Sequence, residues 1–243
     1  MRLIVKFKPL FEMKYEGFNN YWIQGLIYKL LLGSEFDKHN ENKFKWFNFS
    51  NIFPKTDFKL NEEKNLIISS PNKDFINYLK EKLEEMDRIK FGNYIAELVE
   101  VKVFRVKRDL NNWWKIETPI ILDIGKEVGK KHLYWTPKLK DKELRTFYYF
   151  FNRLTENSLK KIAFYYGENL EKLKEKYFSL FQQYKFIKSV TTFLEKDGKK
   201  IRMAGTLWYL KPFELLKKKY LFLLYETGLG EKNSLGFGFV NLK

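Results

Sequence analysis

The sequence predicts an α+β protein of two tandem βαββαβ units with a glycine-rich loop near its C-terminal end. Three observations predict it. Through residue 110, apolar patterns of period 2 and period 3.6 alternate in the order strand, helix, strand, strand, helix, strand. That order is the ferredoxin-like, RRM-like arrangement. A polar break at residues 109–112 ends it, and a second, less regular cycle follows. Finally, 243 residues with 44% hydrophobic and 19% aromatic side chains can fill two cores, which excludes a disordered chain. Residues 1–110 are therefore read as one domain and 111–243 as a second, modified ferredoxin-like domain.

In the first domain, residues 2–8 alternate as a strand, with Leu3, Val5 and Phe7 on one face. Residues 20–32 form a helix with Asn19 or Asn20 as N-cap and Gly33 as its stop. Its stripe is Ile23, Leu26, Ile27, Leu30 and Leu31. Residues 44–50 and 66–70 read as strands. Ser70 and Pro71 open a second helix as N-cap and first residue, with Phe75, Leu79, Leu83 and Met86 facing the core. Beyond Gly92, residues 94–106 are strand-like.

In the second domain, residues 118–122 read as a strand, and 141–154 and 158–177 as two helices. Residues 186–194 and 200–209 form a basic hairpin turned by Asp197 and Gly198. Residues 212–218 read as a short helix, and 220–225 and 237–242 as strands.

Lys+Arg number 46 and Asp+Glu 30, a formal charge of +16, which draws polyanions and nucleic acid above all. A lysine-rich, solvated surface is the plainer reading of the same excess. The longest apolar run, residues 220–225, is far short of the roughly twenty residues of a membrane span. Lys6 and Lys8 interrupt the apolar start too early for a signal peptide, so a cytoplasmic location is expected. With no cysteine there is no disulfide, thiolate metal site or thiol nucleophile. His39 and His132 lie in no metal-binding spacing, so neither metal nor cofactor is expected.

The most distinctive segment carries Gly228, Gly230, Lys232, Asn233, Ser234, Gly236 and Gly238. Close glycines let backbone N–H groups approach an anion. The spacing fits neither the Walker pattern nor GxGxxG, and only residues 239–243 follow, too few for the helix those loops need. A glycine-rich β-turn with bulges is the plain structural alternative.

This segment, Gly-Leu-Gly-Glu-Lys-Asn-Ser-Leu-Gly-Phe-Gly, strongly resembles the C-terminal signature of CRISPR-associated repeat-specific endoribonucleases of the RAMP superfamily. The resemblance extends to the length, the two ferredoxin-like halves, Gln24 to Tyr28 in the first helix, and Phe47, Asn48, Phe49 and Ser50. It implies cleavage of precursor CRISPR RNA within each repeat without a metal. A 2′-hydroxyl attacks the adjacent phosphate, leaving a 2′,3′-cyclic phosphate and a 5′-hydroxyl. It implies a catalytic set of a tyrosine in the first helix, a histidine just after it and a lysine before the second strand. Here these are Tyr28, His39 and Lys45, with Lys43 as an alternative to Lys45.

The helix supports Tyr28 independently. At about 100° per residue it stands about 140° from Ile23, on the flank of the stripe, where a phenol can show its hydroxyl to a cleft. A rim tyrosine with no role is the alternative. His39 lies in a polar loop with no core role, and its ordinary pKa of about 6.5 suits proton transfer at neutral pH. A phenol near pKa 10 is a poor base, so His39 is favoured as the acid or base, the division with Tyr28 being left open. His132, before Leu133, Tyr134 and Trp135, is the rival and reads as structural.

RNA contacts are assigned to Lys185, Lys188, Lys199, Lys200 and Arg202 of the hairpin. In the glycine-rich segment they are assigned to Gly228, Gly230, Lys232, Asn233, Ser234, Gly236 and Gly238. The implied partner is CRISPR repeat RNA. Other CRISPR-associated proteins of an interference complex and a homodimer are left open, and no membrane is expected. The alternative function is a non-catalytic RNA-binding RAMP subunit. A basic membrane-surface protein fits less well, because the charge is not gathered on one amphipathic helix.

Overall fold

A computed structural model describes residues 1–37, 44–106, 109–125, 132–196 and 199–243. The chain folds as two compact units. Unit one comprises Met1–Lys107, Leu194–Lys200 and Ser234–Gly236; unit two comprises Arg108–Phe193, Ile201–Asn233 and Phe237–Lys243. A single cut at residues 109–112 thus misses two short segments that unit one takes from later in the chain.

Unit one runs β1 (Arg2–Pro9), α1 (Asn20–Leu31), β2 (Asn48–Phe49), β3 (Lys64–Ser69), α2 (Lys73–Glu84), β4 (Arg88–Phe91) and β5 (Tyr94–Phe104). The sheet order is β2-β3-β1-β5-β4, every neighbour antiparallel. With the hairpin strand β4 set aside, this is the βαββαβ topology. β1 is central, and its alternation buries Leu3, Val5 and Phe7. They share one core with Ile23, Ile27 and Leu30 of α1, Leu66 and Ile68 of β3, and Phe75, Leu79 and Leu83 of α2. Asn19 caps α1, its side chain accepting the Tyr21 N–H at 2.9 Å.

Three local expectations change. The N-cap of α2 is Asn72, whose Oδ1 accepts the N–H groups of Asp74 and Phe75. Ser70 instead donates to the Trp46 carbonyl and accepts the Asn72 N–H, shaping the approach to the helix. Of residues 44–50, only Asn48 and Phe49 join the sheet. The unexpected β4 pairs with β5 through a turn at Gly92 (φ +57°), where a Cβ would sit 2.6 Å from the Trp22 ring.

Unit two runs β6 (Trp114–Ile116), α3 (Phe147–Tyr166), α4 (Leu170–Lys176), β7 (Phe181–Lys196), β8 (Lys199–Pro212), α5 (Lys218–Thr227) and β9 (Val240–Leu242). Its sheet order, β7-β8-β6-β9, repeats the ferredoxin-like connection with an added helix. Trp208 of β8 is fully buried, with ring centroids of Phe147, Phe150 and Phe151 of α3 at 5.1, 4.8 and 5.2 Å. Such aromatic packing joins helix to sheet.

The helices of this unit divide differently from the expected 141–154 and 158–177. Residues 147–166 are one helix capped by Thr146, and the break falls at Gly167, which is left-handed. Residues 220–225, expected as a strand, lie in α5. They bury Tyr220, Leu221, Leu223, Leu224 and Tyr225 and leave Phe222 38% exposed, a helical spacing. Residues 212–217 are not helical, and residues 118–122 make only isolated bridges, Ile120 to Thr206 and Ile121 to Glu231. The turn residues Asp197 and Gly198 lie outside the described residues. Among the described residues, no helix is long and apolar enough to cross a membrane.

Candidate functional site

Gln24 and Tyr28 are one turn apart on α1, on the same flank of its buried stripe. Both are half-buried. Gln24 Nε2 donates to the Ser234 carbonyl at 2.9 Å and contacts Ser234 Oγ at 3.2 Å. The Ser234 side chain also acts on the Tyr28 phenol, favouring its ionised form. Burial pushes the Tyr28 phenol above its ordinary value, the Ser234 side chain opposing that shift. At neutral pH it is therefore protonated and available as a donor. The Tyr28 ring packs edge-on against Phe47, centroids 5.8 Å apart.

Two residues beyond Phe47, Phe49 closes over Gly236. This glycine has φ +80°, and a Cβ there would lie 2.3 Å from the Phe49 ring. Unit one thus brings Tyr28 together with Ser234 and Gly236 of the glycine-rich segment. Lys45, half-buried, lies two residues before Phe47 on the approach to β2. His39 and the alternative Lys43 lie outside the described residues.

The part of the segment in unit two is an internally bonded turn. Gly228, Gly230, Asn233 and Gly238 are buried; Lys232 is exposed. A Cβ on Gly230 (φ +70°) would meet the Ile121 carbonyl at 2.6 Å, and one on Gly238 (φ +67°) the Leu229 carbonyl at 1.9 Å. Asn233 Nδ2 donates to the carbonyls of Leu229 and Phe237, and its Oδ1 receives Lys161 Nζ at 2.5 Å. The Asn233 amide is therefore occupied within the protein.

Lys161 Nζ also donates to the carbonyls of Gly228 and Gly230, at 2.9 and 2.8 Å. Burial pushes this ammonium down to about 7, with the Glu231 carboxylate raising it. The three acceptors favour the charged form, which alone offers three N–H donors.

On the long hairpin, Lys185, Lys188, Lys200 and Arg202 are exposed; the side chain of Lys199 lies outside the described residues. Tyr184 and Phe193 on the same hairpin are 49% and 59% exposed, so rings as well as charges face solvent. His132 is exposed rather than packed, and its Nδ1 pairs with Asp123 Oδ2. Asp123 in turn gives its backbone N–H to Glu231, and its carbonyl accepts Arg153.

Residues 106–242 match the family model described as CRISPR associated protein Cas6, C-terminal. Over 99% of its length the chain is 34% identical to CRISPR-associated endoribonuclease Cas6 2 of Methanocaldococcus jannaschii, covering 99% of that protein. The chain belongs to the Cas6 family of CRISPR-associated endoribonucleases.

The fold agrees with solved structures over the whole chain. One, titled CRISPR associated protein Cas6, superposes with a TM-score of 0.73 at 22% identity, covering 100% of this chain and 99% of the other. A second, titled an RAMP protein binding different RNA substrates, gives 0.72 at 23%, with 100% and 99% coverage. Within this Cas6 chain, sequence reasoning missed two side chains. Gln24 belongs to the helix segment that carries the resemblance, and its contact with Ser234 is a feature of the fold alone. Lys161 was not singled out, although it stands on the apolar face of α3.

Proposed function

We propose that the protein is a metal-independent endoribonuclease that cuts precursor CRISPR RNA within its repeats. The 2′-oxygen bonds to the adjacent phosphorus, the bond to the 5′-oxygen breaks, and the products end in a 2′,3′-cyclic phosphate and a 5′-hydroxyl. One observation carries the reading to this chain's own residues. Gln24, from the helix motif and one turn from Tyr28, donates to Ser234, from the glycine-rich motif, 210 residues further along the chain. Two segments singled out separately by the resemblance meet at one serine.

The roles follow from the chemistry of the groups. His39 moves the proton at neutral pH, as imidazole does with its ordinary pKa of about 6.5. Tyr28 keeps its proton and donates a hydrogen bond to an oxygen of the reacting phosphate. Lys45 places a positive charge opposite the phosphorane as its charge develops. Lys185, Lys188, Lys200, Arg202 and Lys232 supply affinity for phosphates that is independent of sequence, and exposed Tyr184 and Phe193 offer stacking faces for unpaired bases.

The test is incubation with the repeat RNA of its own locus in EDTA. Cleavage should proceed and leave a 5′-hydroxyl product. A 2′-deoxy nucleotide upstream of the cut should abolish cleavage while binding survives. Cleavage that stops in EDTA and returns with magnesium would refute the mechanism. Binding without any cleavage would make the protein an RNA-binding subunit.

A further inference from the structure

Lys64 and Lys161 are buried to 0% and 3% exposure, and each ammonium is surrounded by oxygen acceptors. An isolated ammonium in a protein interior is strongly unfavourable, so a buried lysine persists where its donors are matched. Lys64 donates to the carbonyls of Pro54 and Thr56 and to Thr56 Oγ1, fixing a turn of unit one. Lys161 has a turn of another kind as its partner, the segment that carries Gly228, Gly230 and Asn233.

We propose that Lys161 is the positioning residue of the glycine-rich segment. Its ammonium fixes the backbone of residues 228–233 from within α3, in the geometry that RNA binding requires. The inference rests on the assignment of this segment to RNA binding made above. All three N–H donors are used, on Gly228 O, Gly230 O and Asn233 Oδ1. A neutral amine would leave one of these acceptors unmatched.

The glycines have φ of +81° and +70°, a backbone shape that presents two nearby carbonyls to one point. Gly230 also lies against the Ile121 carbonyl, so the turn cannot slide outward to accommodate a side chain of its own. Asn233 passes the restraint on, since its Nδ2 holds the carbonyls of Leu229 and Phe237 on either side of the turn. Lys161, Asn233 and the two glycine carbonyls therefore form one closed set of bonds. Removing the ammonium leaves three buried acceptors unmatched.

The absence of cysteine gives a direct test, because Lys161→Cys carries the only thiol in the protein. In denaturant its thiolate displaces bromide from 2-bromoethylamine, forming a C–S bond and a side chain of lysine length that ends in an ammonium. Iodoethane installs similar bulk without the nitrogen. After refolding, amide hydrogen exchange across residues 228–233 and affinity for 2′-deoxy-blocked repeat RNA are measured, with Lys161→Met alongside.

Lys161→Met and the ethylated protein should exchange at least tenfold faster in the segment and bind RNA at least tenfold more weakly. Aminoethylation should restore both. Lys64→Met should leave segment exchange unchanged. Wild-type protection in the ethylated protein, or no recovery on aminoethylation, overturns the proposal. If the segment loosens while RNA affinity stays at the wild-type value, Lys161 holds as the anchor and the RNA role of the segment falls. If every uncharged variant fails to fold while the aminoethylated protein folds, Lys161 is a structural ion of unit two and the proposal is overturned.

Discussion

Gly236→Val sets a strain that can be sized against the bonds that hold the same residues. Gly236 has φ +80°, and its missing Cβ would lie 2.3 and 2.7 Å from two carbons of the Phe49 ring. Phe49 is fully buried, and its strand pairs with β3, so the ring has little room to retreat. The left-handed region costs an L-residue about 1–2 kcal/mol. Overpacking a tight site costs about 1–3 kcal/mol more. The strain is then about 2–5 kcal/mol.

Opposing it are two contacts from Gln24 to Ser234. At about 0.5–1.5 kcal/mol each they hold the tip by about 1–3 kcal/mol. The strain is the larger of the two figures, and both lie at or below the roughly 5–15 kcal/mol that holds a whole domain together. The tip should therefore let go of α1 before unit one unfolds. Single-turnover cleavage of repeat RNA at saturating protein should fall at least tenfold in Gly236→Val and less in Gly236→Ala, with a circular-dichroism melt that keeps its cooperativity. A folded Gly236→Val protein that cleaves at the wild-type rate would refute the reasoning.

Gly25 is the contrasting position, exposed within α1 with no atom within 4 Å of its missing Cβ. Gly25→Ala should raise stability by about 0.5–1 kcal/mol in urea unfolding, and destabilisation would contradict the open helical site. The raised pKa of Tyr28 means that raising the pH toward 10 should produce no falling limb in the cleavage rate from this group. Such a limb, if present in the wild type and lost in Tyr28→Phe, would show that Tyr28 ionises lower. His39→Ala should slow single-turnover cleavage by about a hundredfold to ten-thousandfold with RNA affinity retained, and a wild-type rate would remove His39 from the chemistry. Lys45→Ala should also slow cleavage, with a modest loss of affinity measured by filter binding. His132→Ala should cleave normally, since that ring pairs with Asp123 in unit two; loss of cleavage in this variant alone would move the site to the other half of the chain.

The first unit was legible because its signals agree. The stripe of α1 has a capping asparagine before it and a glycine of φ +76° after it, and the flank position of Tyr28 follows from the same period. The α5 helix was illegible because Tyr220 to Tyr225 are apolar all round, leaving only partly exposed Phe222 to show a period. In α3, polar Thr155 and Ser158 are buried on the core face, which imitates a break between two helices. Lys161 did leave a signal. Taking Leu154 as zero, it falls at about 340°, between Phe150 at about 320° and Leu154, within the buried stripe. A lysine in that place needs acceptors, but sequence alone does not say that the glycine carbonyls provide them. The Gln24–Ser234 contact was beyond reach for a related reason: periodicity describes neighbours in sequence, and these two are 210 residues apart.

That separation has a consequence for synthesis. Unit one contains Ser234–Gly236, so its first strand and helix exist long before its last residues do. At about 5–20 residues per second, the 210 residues between Gln24 and Ser234 take roughly 10–40 s to translate. Throughout that interval, Gln24 lacks the serine to which it donates. A nascent chain can already pack the Tyr28 ring against Phe47 while the serine contact of its helix is still unmade. Unit one therefore cannot close around Gln24 until residues 234–236 have been made.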